Sequence, residues 1–152
     1  MSSDFHPRFS KSKKTYAYRI LNRKFRLPLE RNTSYFYHHP LDVQKMQQAA
    51  SYFVGEHDFT SFSSVHAQTK TFVRTIDSLD VTKTDDMITI QVTGNGFIYN
   101  MVRIIAGTLI QVGAGVIEPE DVKGILEGKD RALAGPTAPP EGLTLLGIDF
   151  FS

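Results

Sequence analysis

The sequence predicts an α+β domain with a mainly antiparallel sheet that carries its helices on one face. Residues 71–81 and 87–93 read as two strands, joined by a short polar turn at residues 83–86. Residues 42–54 repeat apolar side chains at helical spacing, and residues 97–112 are almost continuously apolar, as in a buried helix. Strand pairs separated by helices are typical of the α+β class.

The first predicted strand covers residues 14–22, where two sets of side chains alternate. Tyr16, Tyr18 and Ile20 share one face, directed into the core or toward a site. A polar loop follows at residues 23–33, and residues 34–38 form a short, extended aromatic segment. The strand therefore places two tyrosines side by side on one face.

Capping residues set the expected helix limits. Asp42 is a suitable N-cap for the first helix, and Gly55 can end it in the left-handed conformation. Residues 57–64 are expected to form a loop or a single turn, and residues 119–127 a short helix before Gly128. A stiff loop at residues 135–142 then leads into a final strand at residues 143–151.

Composition limits the chemistry. The chain has 152 residues, 41% of them hydrophobic and 22% charged, as in one ordinary globular domain. It has no cysteine, which excludes disulfides, cysteine-ligated metals and a cysteine nucleophile. Its five histidines do not show metal-ligand spacing, and the sequence has no phosphate-binding loop or serine nucleophile elbow. We expect no metal site.

Charge is unevenly placed along the chain. Residues 1–31 hold nine Lys and Arg against two acids, although the whole chain carries a net charge of only +1. Aromatic residues are interleaved with these cations, a pattern that suits RNA because cations meet phosphates and rings stack on bases. A solvated basic strand and loop is the alternative interpretation.

Arg103 is the only charged residue between Asp86 and Glu118. Because the surrounding helix is apolar almost all round, the guanidinium needs an anion as its partner. One alternative is an ion pair within the domain, with Asp77 or Asp149 as the carboxylate. The other is an active-site carboxylate or a phosphate, and the local sequence does not separate the two.

Six segments together resemble the C-terminal half of the bacterial tRNA pseudouridine synthase A (TruA) family. Each is weakly diagnostic alone, but their order and spacing match the family over nearly the whole chain. They are residues 4–10 (DFHPRFS), 14–18 (KTYAY), 55–62 (GEHDFTSF), 96–107 (GFIYNMVRIIAG), 129–131 (KDR) and 137–143 (TAPPEGL).

The resemblance implies that residues 4–152 are the C-terminal domain of a TruA-like enzyme, and that residues 1–3 are an added start. The family isomerises uridine to pseudouridine in the anticodon arm of tRNA, at positions 38–40, without a cofactor or metal. Its nucleophilic Asp lies in an Arg-Thr-Asp motif in the N-terminal half, and this chain has no such motif. The chain alone is therefore expected to be inactive.

The resemblance also assigns the site. Arg103 matches the arginine that pairs with the catalytic Asp, and Tyr16 matches the tyrosine that packs on the target base and is the favoured proton acceptor at C5. Lys13, Lys14, Arg19 and Arg74 are candidates for tRNA contact. A homodimer and a cytoplasmic location are expected of the full-length enzyme, and a non-catalytic RNA-binding module is the alternative function.

Overall fold

The computed structural model describes residues 12–23, 34–64, 71–98 and 100–150. Six strands and three α-helices follow one another in the order β1, β2, α1, β3, β4, β5, α2, α3, β6. The strands are β1 Ser12–Asn22, β2 Tyr35–Tyr37, β3 Gly55–Asp58, β4 Val73–Thr84, β5 Met87–Gly94 and β6 Leu143–Phe150. The α-helices are α1 Val43–Ala50, α2 Met101–Gly113 and α3 Asp121–Gly128.

All six strands form one sheet, in the order β2-β1-β5-β4-β3, with β6 also beside β1. Strand β1 pairs with β5 along one side, and on its other side with β6 and then β2. Its pairing with β2 is parallel and every other pairing is antiparallel. The predicted α+β class with a mainly antiparallel sheet is confirmed.

The core lies between one face of the sheet and the helices. Tyr18 and Ile20 of β1 and Ile90 and Val92 of β5 belong to a single buried cluster that includes side chains of all three helices. Eleven of the thirteen residues of α2 are buried, which explains why its sequence is apolar almost all round. Helix α1 packs against α2 and β4 and completes this layer.

Several element limits differ from the prediction. Helix α2 begins at Met101 rather than at residue 97, because the preceding Asn100 is left-handed, with φ 65°. The helix predicted at residues 42–54 ends as α1 at Ala50 and continues as a 3₁₀ turn, while Gly55 opens β3 instead of capping a helix. The third helix starts at Asp121 rather than at residue 119.

Some predictions concern residues outside the described ranges. These include most of the basic segment at residues 1–31, the start proposed for residues 1–3 and the last residue of the strand predicted at residues 143–151. In the part of the chain that is described, no helix is both long and apolar enough to cross a membrane.

The loop at residues 135–139 lies directly on α2. Gly135 N–H donates to Thr108 Oγ1 at 2.9 Å, and Ala138 N–H donates to the Arg103 carbonyl at 3.0 Å. Between these two bonds a Cβ at Gly107 would lie 1.8 Å from the Pro136 carbonyl oxygen. Glycine is therefore required at position 107 by close approach of two backbones, and this contact sets how the loop sits on the helix.

Gly107→Ala should therefore lower the free energy of unfolding by about 1–3 kcal/mol, the usual cost of forcing a methyl into a packed contact. Gly124→Ala is the matched control, since a Cβ there meets nothing within 4 Å. In α3 that change should stabilise the chain by about 0.5–1 kcal/mol. Denaturant midpoints measure both variants, and a neutral Gly107→Ala would contradict the close contact.

Candidate active site

A pocket of about 350 Å³ opens where β1, the amino end of α2 and the loop before β6 meet. It brings Tyr16 and Arg103, the two predicted catalytic residues, to one place although they are far apart in sequence. The remaining lining residues are Phe97, Ile98, Asn100, Met101, Val102, Pro140 and Leu143. The pocket is thus mostly apolar with a few polar groups, as is usual for small-molecule sites.

Tyr16 is half-buried on β1, on the face that carries Tyr18. The rings of Tyr16 and Phe97 meet edge to face, with centroids 5.2 Å apart. No described residue forms a hydrogen bond with the Tyr16 hydroxyl. Phe97 therefore fixes the ring, while the hydroxyl is free of partners in the described part of the chain and can act on a bound molecule.

Arg103 is half-buried and is held by two uncharged oxygens. Its Nε donates to the Ala138 carbonyl at 2.7 Å, and its Nη1 donates to Asn100 Oδ1 at 3.2 Å. No carboxylate within residues 12–23, 34–64, 71–98 and 100–147 forms an ion pair with it. The guanidinium is therefore oriented within the domain but not neutralised there.

The two in-domain carboxylates considered from the sequence have different outcomes. Asp77 forms a salt bridge with Lys13, with Nζ and Oδ2 2.6 Å apart. Asp77 is a β-bulge residue of β4 and lies opposite the end of β5. Asp77 is therefore engaged on another part of the sheet. The side chain of Asp149 lies outside what the structure describes.

Tyr18 lies on the same face of β1 as Tyr16 but has a structural role. Its burial, followed by the negative charge of Glu141, raises the pKa of Tyr18 well above its usual value. The hydroxyl therefore stays protonated and donates to the Pro139 carbonyl at 2.6 Å. Tyr18 thus holds the loop next to the pocket, whereas Tyr16 lines the pocket itself.

The four cations predicted to contact RNA do not share one face. Lys14 alternates with Lys13 on β1, so Lys14 lies on the Tyr16 side while Lys13 and Arg19 lie on the opposite side. The aliphatic part of Arg74 lies beside Gly96, where a Cβ would be 3.2 Å from Arg74 Cδ. Lys14 and Arg74 therefore flank the segment that leads into the pocket.

Sequence reasoning missed three contributors to the site. The helix predicted at residues 97–112 included Phe97 and Asn100, and neither was predicted to contact a site residue. Ala138 acts only through its backbone carbonyl. Asn is a favoured residue at the position before a helix, so Asn100 could have marked the helix start. Nothing in the sequence marks a backbone carbonyl as the partner of an arginine 35 positions away.

The described part of the chain contains no group of three or more His, Cys, Asp or Glu side chains placed to hold a metal ion. Phe59 and Phe62 are fully buried in the core.

Arg103→Met should lower the free energy of unfolding of this chain by only about 1–2 kcal/mol, because it leaves the Ala138 carbonyl without its donor. Removing one partner of a buried ion pair would cost about 3–5 kcal/mol. Lys123→Met on the exposed surface of α3 is the control and should change nothing. A large fall in the denaturant midpoint of unfolding in Arg103→Met, but not in Lys123→Met, would show a structural ion pair and remove Arg103 from the site.

Comparison with known proteins identifies the family. A family model described as tRNA pseudouridine synthase matches residues 49–150. The tRNA pseudouridine synthase A of Thermoanaerobacter sp. (strain X514) is 46% identical over 148 residues, which is 97% of this chain and 61% of that protein. Those of Bacillus velezensis and Bacillus subtilis are 49% and 47% identical over 144 residues, 95% of this chain and 58% of each.

This chain thus spans about three fifths of the length of the curated relatives it matches, and it aligns with their C-terminal half. Near-complete coverage of this chain at such identity, together with the family model, leaves one assignment. The chain belongs to the tRNA pseudouridine synthase family.

Proposed function

We propose that this chain supplies the base-binding and arginine-bearing part of an active site that converts uridine to pseudouridine in the anticodon arm of tRNA. One arrangement carries the proposal: Tyr16 and Arg103 line the same pocket, and Arg103 has no carboxylate partner among the side chains that the structure describes, which do not include Asp149. The nucleophilic carboxylate then comes from an N-terminal region of the kind that the relatives have beyond the aligned part.

The reaction is an isomerisation, so its atoms balance without a second substrate. The bond between ribose C1′ and uracil N1 breaks, and the carboxylate stabilises or captures C1′. The uracil then turns within the pocket, and C5 bonds to C1′ as any bond between C1′ and the carboxylate breaks and releases the carboxylate. The C5 proton passes to a base and N1 gains a proton. The protein must therefore hold the free uracil, orient the carboxylate and remove one proton from carbon.

Arg103 suits the orientation of that carboxylate. A guanidinium presents paired N–H donors that match the two oxygens of a carboxylate. Its positive charge also favours the ionised form of a neighbouring carboxyl group, which is the form that attacks carbon. Since Arg103 already has two contacts within the domain, its direction is largely set before the carboxylate arrives.

Tyr16 suits the uracil ring. A half-buried aromatic ring beside Phe97 offers an apolar surface on which a base can stack while it turns. Its hydroxyl, without a partner among the described residues, is the side chain we assign to accept the C5 proton. A neutral phenol is a weak base, so the proton transfer needs help from a further group in the completed site.

The substrate is a tRNA, so part of the binding comes from phosphate contacts. Lys14 and Arg74 lie on the pocket side. We assign them to contacts with the RNA backbone next to the target uridine. Lys13 and Arg19 would reach phosphates only on the other face of the sheet. We further propose that the full-length enzyme is a cytoplasmic homodimer, as the family resemblance implies.

This chain alone should make no pseudouridine in an unmodified tRNA, because no residue in it matches the nucleophilic Asp. The same chain, extended at its amino end with the uncovered part of the Bacillus subtilis relative, should make it. Release of tritium from C5-labelled uridine measures the reaction directly, and an anticodon stem-loop RNA tests the arm. The intact Bacillus subtilis protein serves as the positive control.

The outcomes separate the alternatives. Product from this chain alone would overturn the assignment of the nucleophile to another region. An extended chain that binds tRNA but makes no product, while the Bacillus subtilis protein is active, would favour the non-catalytic RNA-binding module. Product at uridines outside the anticodon arm would support the proposed reaction but overturn the proposed location on the tRNA.

Lys14→Gln should weaken binding of tRNA to the extended chain and reduce the slope of log affinity against log salt by about one unit. Arg19→Gln is the matched control, because it removes one cation from the same strand on the opposite face. It should leave pocket-side binding nearly unchanged. Equal losses in both variants, measured by filter binding at several salt concentrations, would place the RNA on both faces.

A further inference from the structure

Asn100 is the residue immediately before α2, and its side chain does not perform the usual task of that position. A helix N-cap side chain normally accepts a hydrogen bond from the backbone N–H two or three residues later. Asn100 makes no such bond. Its Oδ1 instead accepts from Arg103 Nη1 at 3.2 Å, so the amide serves the side chain at the third helical position rather than its backbone.

The backbone of Asn100 makes this contact possible. With φ 65° and ψ 4° it is left-handed, whereas an N-cap residue is usually extended. Asn is among the few residues other than Gly that adopt this conformation readily. The chain therefore uses a residue that tolerates the turn and also carries an amide oxygen that reaches Arg103.

Two contacts together define the plane of the guanidinium. Ala138 accepts from Nε and Asn100 accepts from Nη1, so the group is held at two of its three nitrogens. A planar guanidinium has five N–H donors, and these contacts use two of them. The donors that remain are both of those on Nη2 and one on Nη1, and these are the nitrogens that can take a carboxylate in a bidentate manner.

We propose that Asn100 is a positioning residue, which fixes the rotation of the Arg103 guanidinium so that its Nη1–Nη2 edge is presented to an incoming carboxylate. The role of that carboxylate in the reaction rests on the proposed function; the orientation of Arg103 by Asn100 does not. The Ala138 carbonyl alone leaves the Nη1–Nη2 edge free to swing about one hydrogen bond. Asn100 supplies the second contact that stops this motion.

Asn100→Gly is the informative variant, because glycine accepts the left-handed backbone and removes only the amide. Asn100→Asp keeps an acceptor oxygen at the same place and should rescue the contact. Asn95→Ala is the control: Asn95 Oδ1 accepts from the Thr75 N–H at 3.1 Å, so an Asn acceptor is lost nearby without touching Arg103. Thermal unfolding of each variant confirms that it is folded.

The first measurement uses this chain as it is and needs no enzyme activity. Nitrogen-15 NMR of the Arg103 side chain should show slow rotation about Cζ–Nη1 in the native chain and in Asn100→Asp. Asn100→Gly should show fast, averaged Nη signals, while the Nε–H bonded to Ala138 keeps its protection. Unchanged Nη signals in a folded Asn100→Gly chain would overturn the proposal.

The second measurement uses the chain extended with the N-terminal region of the Bacillus subtilis relative. Asn100→Gly should lower kcat about tenfold or more and change KM for tRNA less than about twofold, since orientation and not binding is lost. Asn100→Asp restores the contact but adds a carboxylate beside Arg103 that repels the incoming one, so it should restore the NMR signature and little of the rate. A rise in KM for tRNA with kcat unchanged would overturn the positioning role. If the unsubstituted extended chain is inactive, the proposed function fails, and the NMR result still decides the role of Asn100.

Discussion

The contact between α2 and the loop at residues 135–139 is the constraint on which the site depends. At Gly107 the helix backbone and the Pro136 carbonyl approach so closely that no side chain fits between them. That approach brings the Ala138 carbonyl within 2.7 Å of Arg103 Nε and the Pro139 carbonyl within 2.6 Å of the Tyr18 hydroxyl. One close backbone contact thus ties the arginine of the pocket to strand β1 of the sheet.

Much of the fold was predictable because it follows from local patterns. The alternation along β4 and β5 and the polar turn between them gave the hairpin, and Asp42 marked the start of α1, where its carboxylate accepts from Lys45 N–H. The start of α2 was not predictable from hydrophobicity, because residues 97 and 98 are as apolar as the helix itself. Their apolar character serves the pocket and the core rather than a helical turn.

The arginine could be found from the sequence, but its partners could not. A single charge within a long apolar stretch has to be explained, and this argument pointed to Arg103 without any structure. Its partners, however, are an amide three residues earlier and a backbone carbonyl 35 residues later. Backbone carbonyls are present at every residue, so only the packing of the loop on α2 selects Ala138. Likewise, strand alternation predicted which face Tyr16 shares with Tyr18, but not that Phe97 would meet its ring.

The half-buried position of Arg103 reconciles a stable domain with an unneutralised charge. A guanidinium sealed in the core without an anion would cost several kcal/mol, which is a large part of the stability of a domain this size. In an open pocket, water can solvate the N–H groups that Ala138 and Asn100 leave unused. In the proposed active site, an incoming carboxylate and uracil would displace that water, and the same donors would act in a medium of lower dielectric, where charge interactions are stronger. The domain thus keeps its arginine oriented at little cost to stability, and under this proposal the interaction would reach full strength only in the completed site.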